Sequence, residues 1–401
     1  MAQITPYKIS VPEERLEKLK QKLQLVDFPG ELDDTGWTYG APLKDVKDLT
    51  QYWLEKFDWR AAEATLNELP HFQTSITVES FDPLDVHFVH QKSDLKDAIP
   101  LLFVHGWPGS FIEVTKLLPL LKDRFHVVAP SLPNFGFSGR VAKKGFGLGQ
   151  HAEVCHKLML SLGYDQYVTQ GGDFGSLITR IMSSLYPQHI KAHHINLIIA
   201  SEPIWTGQNP KQNPKPECRS ARIAGLQQAG KFFKEGSGYS AIQGTKPATL
   251  AFLLMDSPVG LLAWIYEKFV TWTDEYPWTP DEVLTWVSIY YFSTAGPGAN
   301  IYTYYEVSHD PIYNLAFTQK YVDVPLGIAD FPKEVANSPE SWWDGMGPVV
   351  SKKRFEKGGH FAAWERPGDL VGCLEEMFGK GGPCENVVKG SGALELRVSC
   401  S

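Results

Sequence analysis

Gln170-Gly171-Gly172-Asp173-Phe174-Gly175-Ser176 follows the apolar pair Tyr167-Val168 and opens a helix-like segment, with Asp173 at the bend. Small residues on both sides let a strand and a helix approach closely. The residue between them is then held in a strained conformation with its side chain presented outward, the layout of a nucleophile elbow. Here the presented group is a carboxylate. The competing reading makes Asp173 an ordinary helix cap, since Asp favours that position and glycine pairs occur in plain turns.

A second motif favours the elbow. Leu101-Leu102-Phe103-Val104 suits a buried parallel strand and runs straight into His105-Gly106-Trp107-Pro108-Gly109-Ser110. On an α/β-hydrolase fold, the oxyanion site combines the backbone N–H after the nucleophile with one from an earlier strand-to-helix loop. Phe174 and Trp107 are the expected donors. A third element, Gly358-Gly359-His360-Phe361, lies between the strand-like 349–355 region and a helix-like stretch near Trp364. A histidine in such surroundings is often structural, but the chain order on this fold is nucleophile, acid, histidine, and His360 stands last. The acid belongs to the preceding strand end, where Asp330, Glu334, Glu340 and Asp344 all qualify. Position along the chain puts Asp330 first, at the end of Val324-Pro325-Leu326-Gly327-Ile328-Ala329, and residue chemistry leaves the choice open.

Together these residues resemble the microsomal-type epoxide hydrolases, including their soluble fungal members. The resemblance runs from the N-terminal amphipathic segment to Arg366-Pro367. It is carried by the two motifs above together with Lys143-Lys144-Gly145-Phe146, Asp256-Ser257-Pro258-Val259-Gly260-Leu261, Glu267-Lys268-Phe269 and Gly358-Gly359-His360-Phe361-Ala362-Ala363. It implies that the acid is the carboxylate of a Phe-Pro-x-Glu/Asp segment, which falls on Glu334. It also implies two lid tyrosines, Tyr239 after Ser237-Gly238 and Tyr304 in Tyr304-Tyr305-Glu306, with Tyr302 and Tyr305 as close competitors. Most tyrosines in so aromatic a chain are packing or surface residues.

The expected fold class is therefore α/β: a hydrolase core with a mostly parallel eight-stranded sheet, an inserted helical lid and an N-terminal helical extension that wraps the core. The expected boundaries are 1–72 for the extension, 73–201 for the first part of the core, 202–315 for the lid, and 316–401 for the second part of the core with a Gly-rich tail from 381. Strands are expected near 75–78, 86–89, 101–104, 126–128, 167–169, 192–198, 324–328 and 349–355, with the lid after the sixth. In the extension, Ser10 and Glu13 suggest a capping box, followed by Leu16, Leu19 and Leu23 at helical spacing. Leu43, Val46, Leu49, Trp53, Leu54 and Phe57 form a second stripe.

The 401 residues, 43% of them hydrophobic, accommodate a core with appended elements. A net charge of −8 and the lack of a long basic block argue against nucleic acid as a partner. Lys352-Lys353-Arg354, the densest basic run, fits a solvated strand edge. Five cysteines, at 155, 218, 373, 384 and 400, are odd in number and unpaired in spacing, which favours a reducing compartment. The N-terminus lacks the apolar core of a signal or anchor, and the longest apolar stretch, 248–270, is interrupted by Asp256, Pro258, Glu267 and Lys268. A soluble cytoplasmic protein is expected. His193 and His194 point to opposite faces of a probable strand, and Gly145-Phe146-Gly147-Leu148-Gly149 lacks dinucleotide-binding spacing, so no metal or cofactor is implied.

An ionised carboxylate can attack saturated carbon without prior proton removal, which suits epoxide opening through an ester on Asp173. On this reading Tyr239 and Tyr304 hold the ring oxygen, and His360 with Glu334 activates water. Trp107 and Phe174 N–H groups stabilise the oxyanion, and a vicinal diol leaves. The partners are a small apolar epoxide and water, without a membrane anchor, and with a homodimer as one option. Lid tryptophans at 205, 264, 272, 278 and 286 favour an apolar substrate. The alternatives are a haloalkane dehalogenase, with Trp107 as a halide donor, and a non-catalytic hydrolase-fold receptor for an apolar molecule. A serine esterase does not fit, because Ser176 is not flanked as an elbow.

Overall fold

A computed structural model describes residues 3–202, 229–336 and 338–388. Trp205, Cys218, Cys400 and the last thirteen residues lie outside the described residues. Nine strands form one sheet in the order β1-β2-β3-β5-β4-β6-β7-β8-β9. Their ranges are β1 Thr5–Pro6, β2 His71–Ile76, β3 Leu84–Gln91, β4 Ile99–Val104, β5 Phe125–Pro130, β6 Tyr167–Gly171, β7 Ile190–Ile195, β8 Leu326–Asp330 and β9 Val349–Arg354. All eight expected strands are present. The ninth, β1, is a two-residue strand paired antiparallel with β2, and it carries no periodic pattern by which sequence could reveal it.

Pairing is antiparallel from β1 through β3 to β5 and parallel across the remaining five contacts. Central strands β4, β5 and β6 are buried almost throughout; β4 is continuously apolar, while β6 also buries Thr169 and Gln170. Complete burial of a Leu, Val or Phe side chain stabilises by roughly 1.5–3 kcal/mol, and the sheet is anchored by many of them. The edge strand β9 alternates partly buried and exposed positions. Its basic run is engaged with acids, Lys353 with Glu376 at 2.6 Å and Arg354 with Asp330 at 2.7 Å.

Three helices, Glu13–Gln24, Leu43–Glu55 and Trp59–Leu66, precede β2. Leu19 and Leu23 of the first and Val46, Leu49 and Trp53 of the second are buried, which matches the two stripes. The capping box at Ser10 is not formed. Pro12 occupies the cap position without a side-chain bond, and Glu13 instead pairs with Arg60 at 2.7 Å. A proline at that point fixes the chain direction and removes a donor, so the helix starts later than the Ser-x-x-Glu spacing suggests. Arg15 ties this segment to the lid by donating to the Tyr291 and Phe292 carbonyls at 3.0 and 3.1 Å.

Between β7 and β8 the described chain is helical: Gly238–Thr245, Pro247–Asp256, Pro258–Thr271, Pro280–Tyr291 and Tyr302–His309, with a short turn at Leu315–Thr318. The apolar stretch 248–270 is two helices bent by 113° at Ser257-Pro258. No single helix among the described residues is long and apolar enough to cross a membrane.

Candidate active site

Strands β4 and β6 lie side by side and end together, Val104 opposite Gly171, so the loops that follow them meet at the carboxyl edge of the sheet. After β6 the chain turns through Asp173 and immediately enters the helix Phe174–Leu185. A Cβ on Gly175 would overlap the Val104 carbonyl, so only glycine lets this helix sit against β4. The turn forces Asp173 to φ 49° and ψ −129°, unusual for a residue with a side chain. Asp173 stands at the cap position but makes no capping bond to the helix. Its Oδ1 accepts the Trp107 N–H at 2.8 Å instead. Phe174 opens the helix, where the first N–H groups have no partner within the helix.

His360 faces the second carboxylate oxygen, with Nε2 3.4 Å from Asp173 Oδ2. Its other nitrogen, Nδ1, lies 2.6 Å from Glu334 Oε1. The histidine loop is held by the lid: the His360 N–H donates to the Trp272 carbonyl at 2.8 Å and the Gly358 N–H to Asp274 Oδ2 at 2.9 Å. Glu334 reaches the histidine because the Phe331-Pro332-Lys333 turn folds back on the same loop. The Lys333 N–H donates to the Gly358 carbonyl at 3.0 Å, and Lys333 bridges Gly359 in parallel register. Asp330, first by sequence position, is instead held in an ion pair with Arg354 at 2.7 Å. Glu340 is drawn to Lys352, and among the described residues Asp344 has no ion pair.

Both tyrosines implied by the resemblance converge above Asp173. Tyr239 stacks on Trp107 with ring centroids 5.1 Å apart and 12° between planes. Tyr304 meets Trp107 edge-on at 5.7 Å and Phe174 at 4.7 Å. The two tyrosine rings are 5.7 Å apart, and their hydroxyls interact. Neighbours Tyr302 and Tyr305 turn outward, each 37% exposed against 7% for Tyr304. Among the lid tryptophans, Trp272 packs 5.2 Å from Tyr239 and 4.9 Å from His360. Trp278 and Trp286 pack against each other and against Phe361, while Trp264 donates to Gln243 at 3.0 Å.

Two groups near the site received no role from sequence. The Lys268 ammonium sits 4.8 Å from the Tyr239 ring centroid and pairs with Glu267. Glu113, in the short 3₁₀ helix Phe111–Lys116, interacts electrostatically with both His360 and Asp173. Its spacing from Ser110 reads as a helix cap, which conceals any further part it plays.

Electrostatics divide the titratable groups. Burial alone lowers the basicity of His360, but Glu334 and Asp173 outweigh it and hold the imidazole pKa well above the ordinary histidine value. Burial, followed by the Asp173 charge, raises the pKa of Tyr239. Burial, Tyr239 and Asp173 do the same for Tyr304. The arrangement is thus a mostly buried carboxylate with one oxygen bound by a backbone N–H, an imidazole poised between Asp173 and Glu334, and two phenols under an aromatic roof.

A family model described as the epoxide hydrolase N terminus matches residues 4–114, and one described as the alpha/beta hydrolase fold matches 99–218. Epoxide hydrolase 1 of Sus scrofa is 35% identical over 94% of this chain and 88% of its own length. Juvenile hormone epoxide hydrolase 2 of Ctenocephalides felis is 35% identical over 90% and 82%. The solved structure of the Aspergillus niger epoxide hydrolase superposes with a TM-score of 0.81 at 33% identity, covering 93% of this chain and 96% of that one.

Proposed function

Because this chain belongs to the epoxide hydrolases and is an epoxide hydrolase enzyme, we propose that it opens apolar epoxides through a covalent ester on Asp173. The observation that carries this reading is the division of labour at the Asp173 carboxylate, where Trp107 binds Oδ1 and leaves Oδ2 to attack. Attack of Oδ2 on a ring carbon breaks that carbon's bond to the epoxide oxygen. The developing alkoxide takes a proton from the Tyr239 and Tyr304 pair, whose raised pKa values keep both phenols protonated in the resting enzyme.

Esterification removes the negative charge of Asp173, and with it one of the influences that kept His360 protonated. The imidazolium then returns a proton to the tyrosinate and becomes a base. Held through Nδ1 by Glu334, it takes a proton from water, whose oxygen attacks the ester carbonyl. The carbonyl oxygen is Oδ1, already at the Trp107 N–H, with the Phe174 N–H as second donor to the oxyanion. Loss of one such donor typically costs 10²–10³ in rate, roughly 3–4 kcal/mol. Collapse of the tetrahedral adduct expels the diol and restores the Asp173 carboxylate and the His360 imidazolium, so the overall change is epoxide plus water to vicinal diol.

The roof of Trp107, Tyr239, Trp272 and Phe174 favours an apolar substrate, and no charged group is needed for its recognition. A single turnover in heavy-oxygen water tests the scheme. The first diol carries unlabelled oxygen from Asp173 and the label enters the protein. Label in the first diol together with unlabelled protein would exclude the ester.

A further inference from the structure

Trp264, Lys268 and Trp272 recur at spacings of four along the helix Pro258–Thr271 and its C-cap, so they share one face. That face meets Tyr239. The Lys268 ammonium lies 4.8 Å from the Tyr239 ring centroid, 5.6 Å from that of Trp264 and 5.8 Å from that of Trp272. Three rings thus surround one cation. Lys268 is also nearly enclosed, its side chain 7% exposed against 25% for Glu267, the carboxylate it pairs with. The ammonium is therefore the buried end of that pair.

The spacing between cation and phenol ring is fixed from both sides. Trp264 donates from Nε1 to Gln243 Oε1 at 3.0 Å, and Gln243 stands four residues after Tyr239 on the helix Gly238–Thr245. This bond ties the lysine's helix to the tyrosine's helix. Trp107 stacks on the Tyr239 ring at 5.1 Å and Trp272 packs against it at 5.2 Å. Glu267 is engaged by its own helix, where the Thr271 hydroxyl donates to Oε1 at 3.1 Å. Taking an ammonium out of water is costly, and lysine is almost never enclosed unless something compensates its charge. Packing alone would be served by leucine or methionine at this position.

Resting on the Asp173-ester reading, in which Tyr239 gives a proton to the opening ring, we propose that Lys268 is a positioning residue that acts through Tyr239, its ammonium stabilising the phenolate left behind. In that step the bond from Asp173 Oδ2 to carbon forms, the ring carbon–oxygen bond breaks, and the phenol proton passes to the ring oxygen. Lys268 keeps its own proton throughout. The charge left on Tyr239 spreads from its oxygen into the ring, so an ammonium beside the ring gains attraction as the proton leaves. The neutral phenol offers the cation only a ring quadrupole. The phenolate offers it a full charge in a site that excludes water. The benefit therefore belongs to the transition state and not to the resting enzyme. Burial, then the Asp173 carboxylate, oppose loss of the Tyr239 proton, with Glu334 and Glu267 adding to them; a fixed cation at the ring offsets that opposition.

The test compares two epoxides of similar shape, methyl oxirane and trifluoromethyl oxirane, in single turnovers of the full chain, with ester formation and breakdown followed by tryptophan fluorescence. Trp107 and Trp272 stand at the site and report on both steps. The trifluoromethyl group makes the developing alkoxide much less basic, so its ring opening leans less on a proton donor. Lys268→Met keeps the length of the side chain and loses the charge; Lys268→Arg keeps a cation. With methyl oxirane, ester formation in Lys268→Met should slow about tenfold to thirtyfold, the worth of a desolvated cation at a ring. With trifluoromethyl oxirane the loss should stay within about threefold, as should any change in ester breakdown with either epoxide. Lys268→Arg should recover most of the lost rate. An unslowed Lys268→Met, equal slowing with the two epoxides, or equal losses in the Met and Arg variants overturns the proposal alone and leaves the ester in place. Absence of any ester in the parent enzyme overturns the Asp173 reading and this inference with it.

Discussion

On the proposed mechanism the backbone, not a neighbouring base, prepares Asp173 for nucleophilic attack. Its left-handed φ turns the carboxylate out of the helix, and the Trp107 N–H binds Oδ1, which on that mechanism leaves Oδ2 to attack. On the proposed mechanism Asp173→Asn removes the nucleophile, and steady-state turnover falls by roughly 10⁴-fold or more with the fold intact by circular dichroism. On the same mechanism Tyr239 and Tyr304 share a single task, so their losses should not add independently. Each single Phe variant keeps part of the ring-opening rate, and the double variant loses on the order of 10²–10⁴, read as the rate of ester formation in rapid mixing. Equal and full losses in both single variants would indicate separate roles. The choice of acid shows where sequence reading stops. Asp330 and Glu334 are both plausible strand-end carboxylates, and only the fold-back of Lys333 onto Gly358 and Gly359 brings one of them to His360. Resemblance pointed to Glu334; no local pattern encodes that turn.

At the level of elements, the apolar run of β4 marked a strand because a parallel strand covered on both faces must be continuously hydrophobic, whereas β2 and the edge strand β9 are only partly buried and mix polar residues among the apolar ones. The Leu16-Leu19-Leu23 stripe likewise marked its helix. What escaped were features set by tertiary contact: the two-residue β1, and the true start of the first helix, where Pro12 and the Glu13–Arg60 pair override a local capping signal. That helix is held to the lid through Arg15, whose guanidinium closes the carbonyl end of the helix Pro280–Tyr291. Hydrogen bonds from a charged group are worth about 1.5–3 kcal/mol, so Arg15→Ala should lower unfolding stability by that order in chemical denaturation. An unchanged midpoint would mean that the apolar stripe alone holds the extension. A side chain at Gly175 is a harsher change. Gly175→Ala must push the helix from β4, cost roughly 1–3 kcal/mol or more, and displace Asp173, so activity should fall along with stability.

Across the whole molecule, an unusual number of histidines are enclosed without charge. Burial drives the pKa of His90, His151 and His194 down to about 3 and that of His105 and His156 to about 4. In the unfolded chain these groups titrate near 6.5, so below that pH the unfolded state binds more protons and the folded state loses ground. Their contribution is intact above about pH 6.5 and declines as pH falls toward their folded values, by up to about 1.4 kcal/mol per pH unit for each histidine. The denaturation midpoint should therefore drop steeply between pH 6.5 and 4.5; a flat profile there would contradict the neutral, buried state of these rings. The covalent step can also be weighed at this scale. Replacing His360 by Gln leaves Asp173 able to attack but no base to release the product, so intact-protein mass spectrometry after mixing His360→Gln with an apolar epoxide tests the central claim most directly. The account predicts a stoichiometric gain equal to the mass of the epoxide, mapped by peptide analysis to Asp173. An unmodified protein that still forms diol would contradict it.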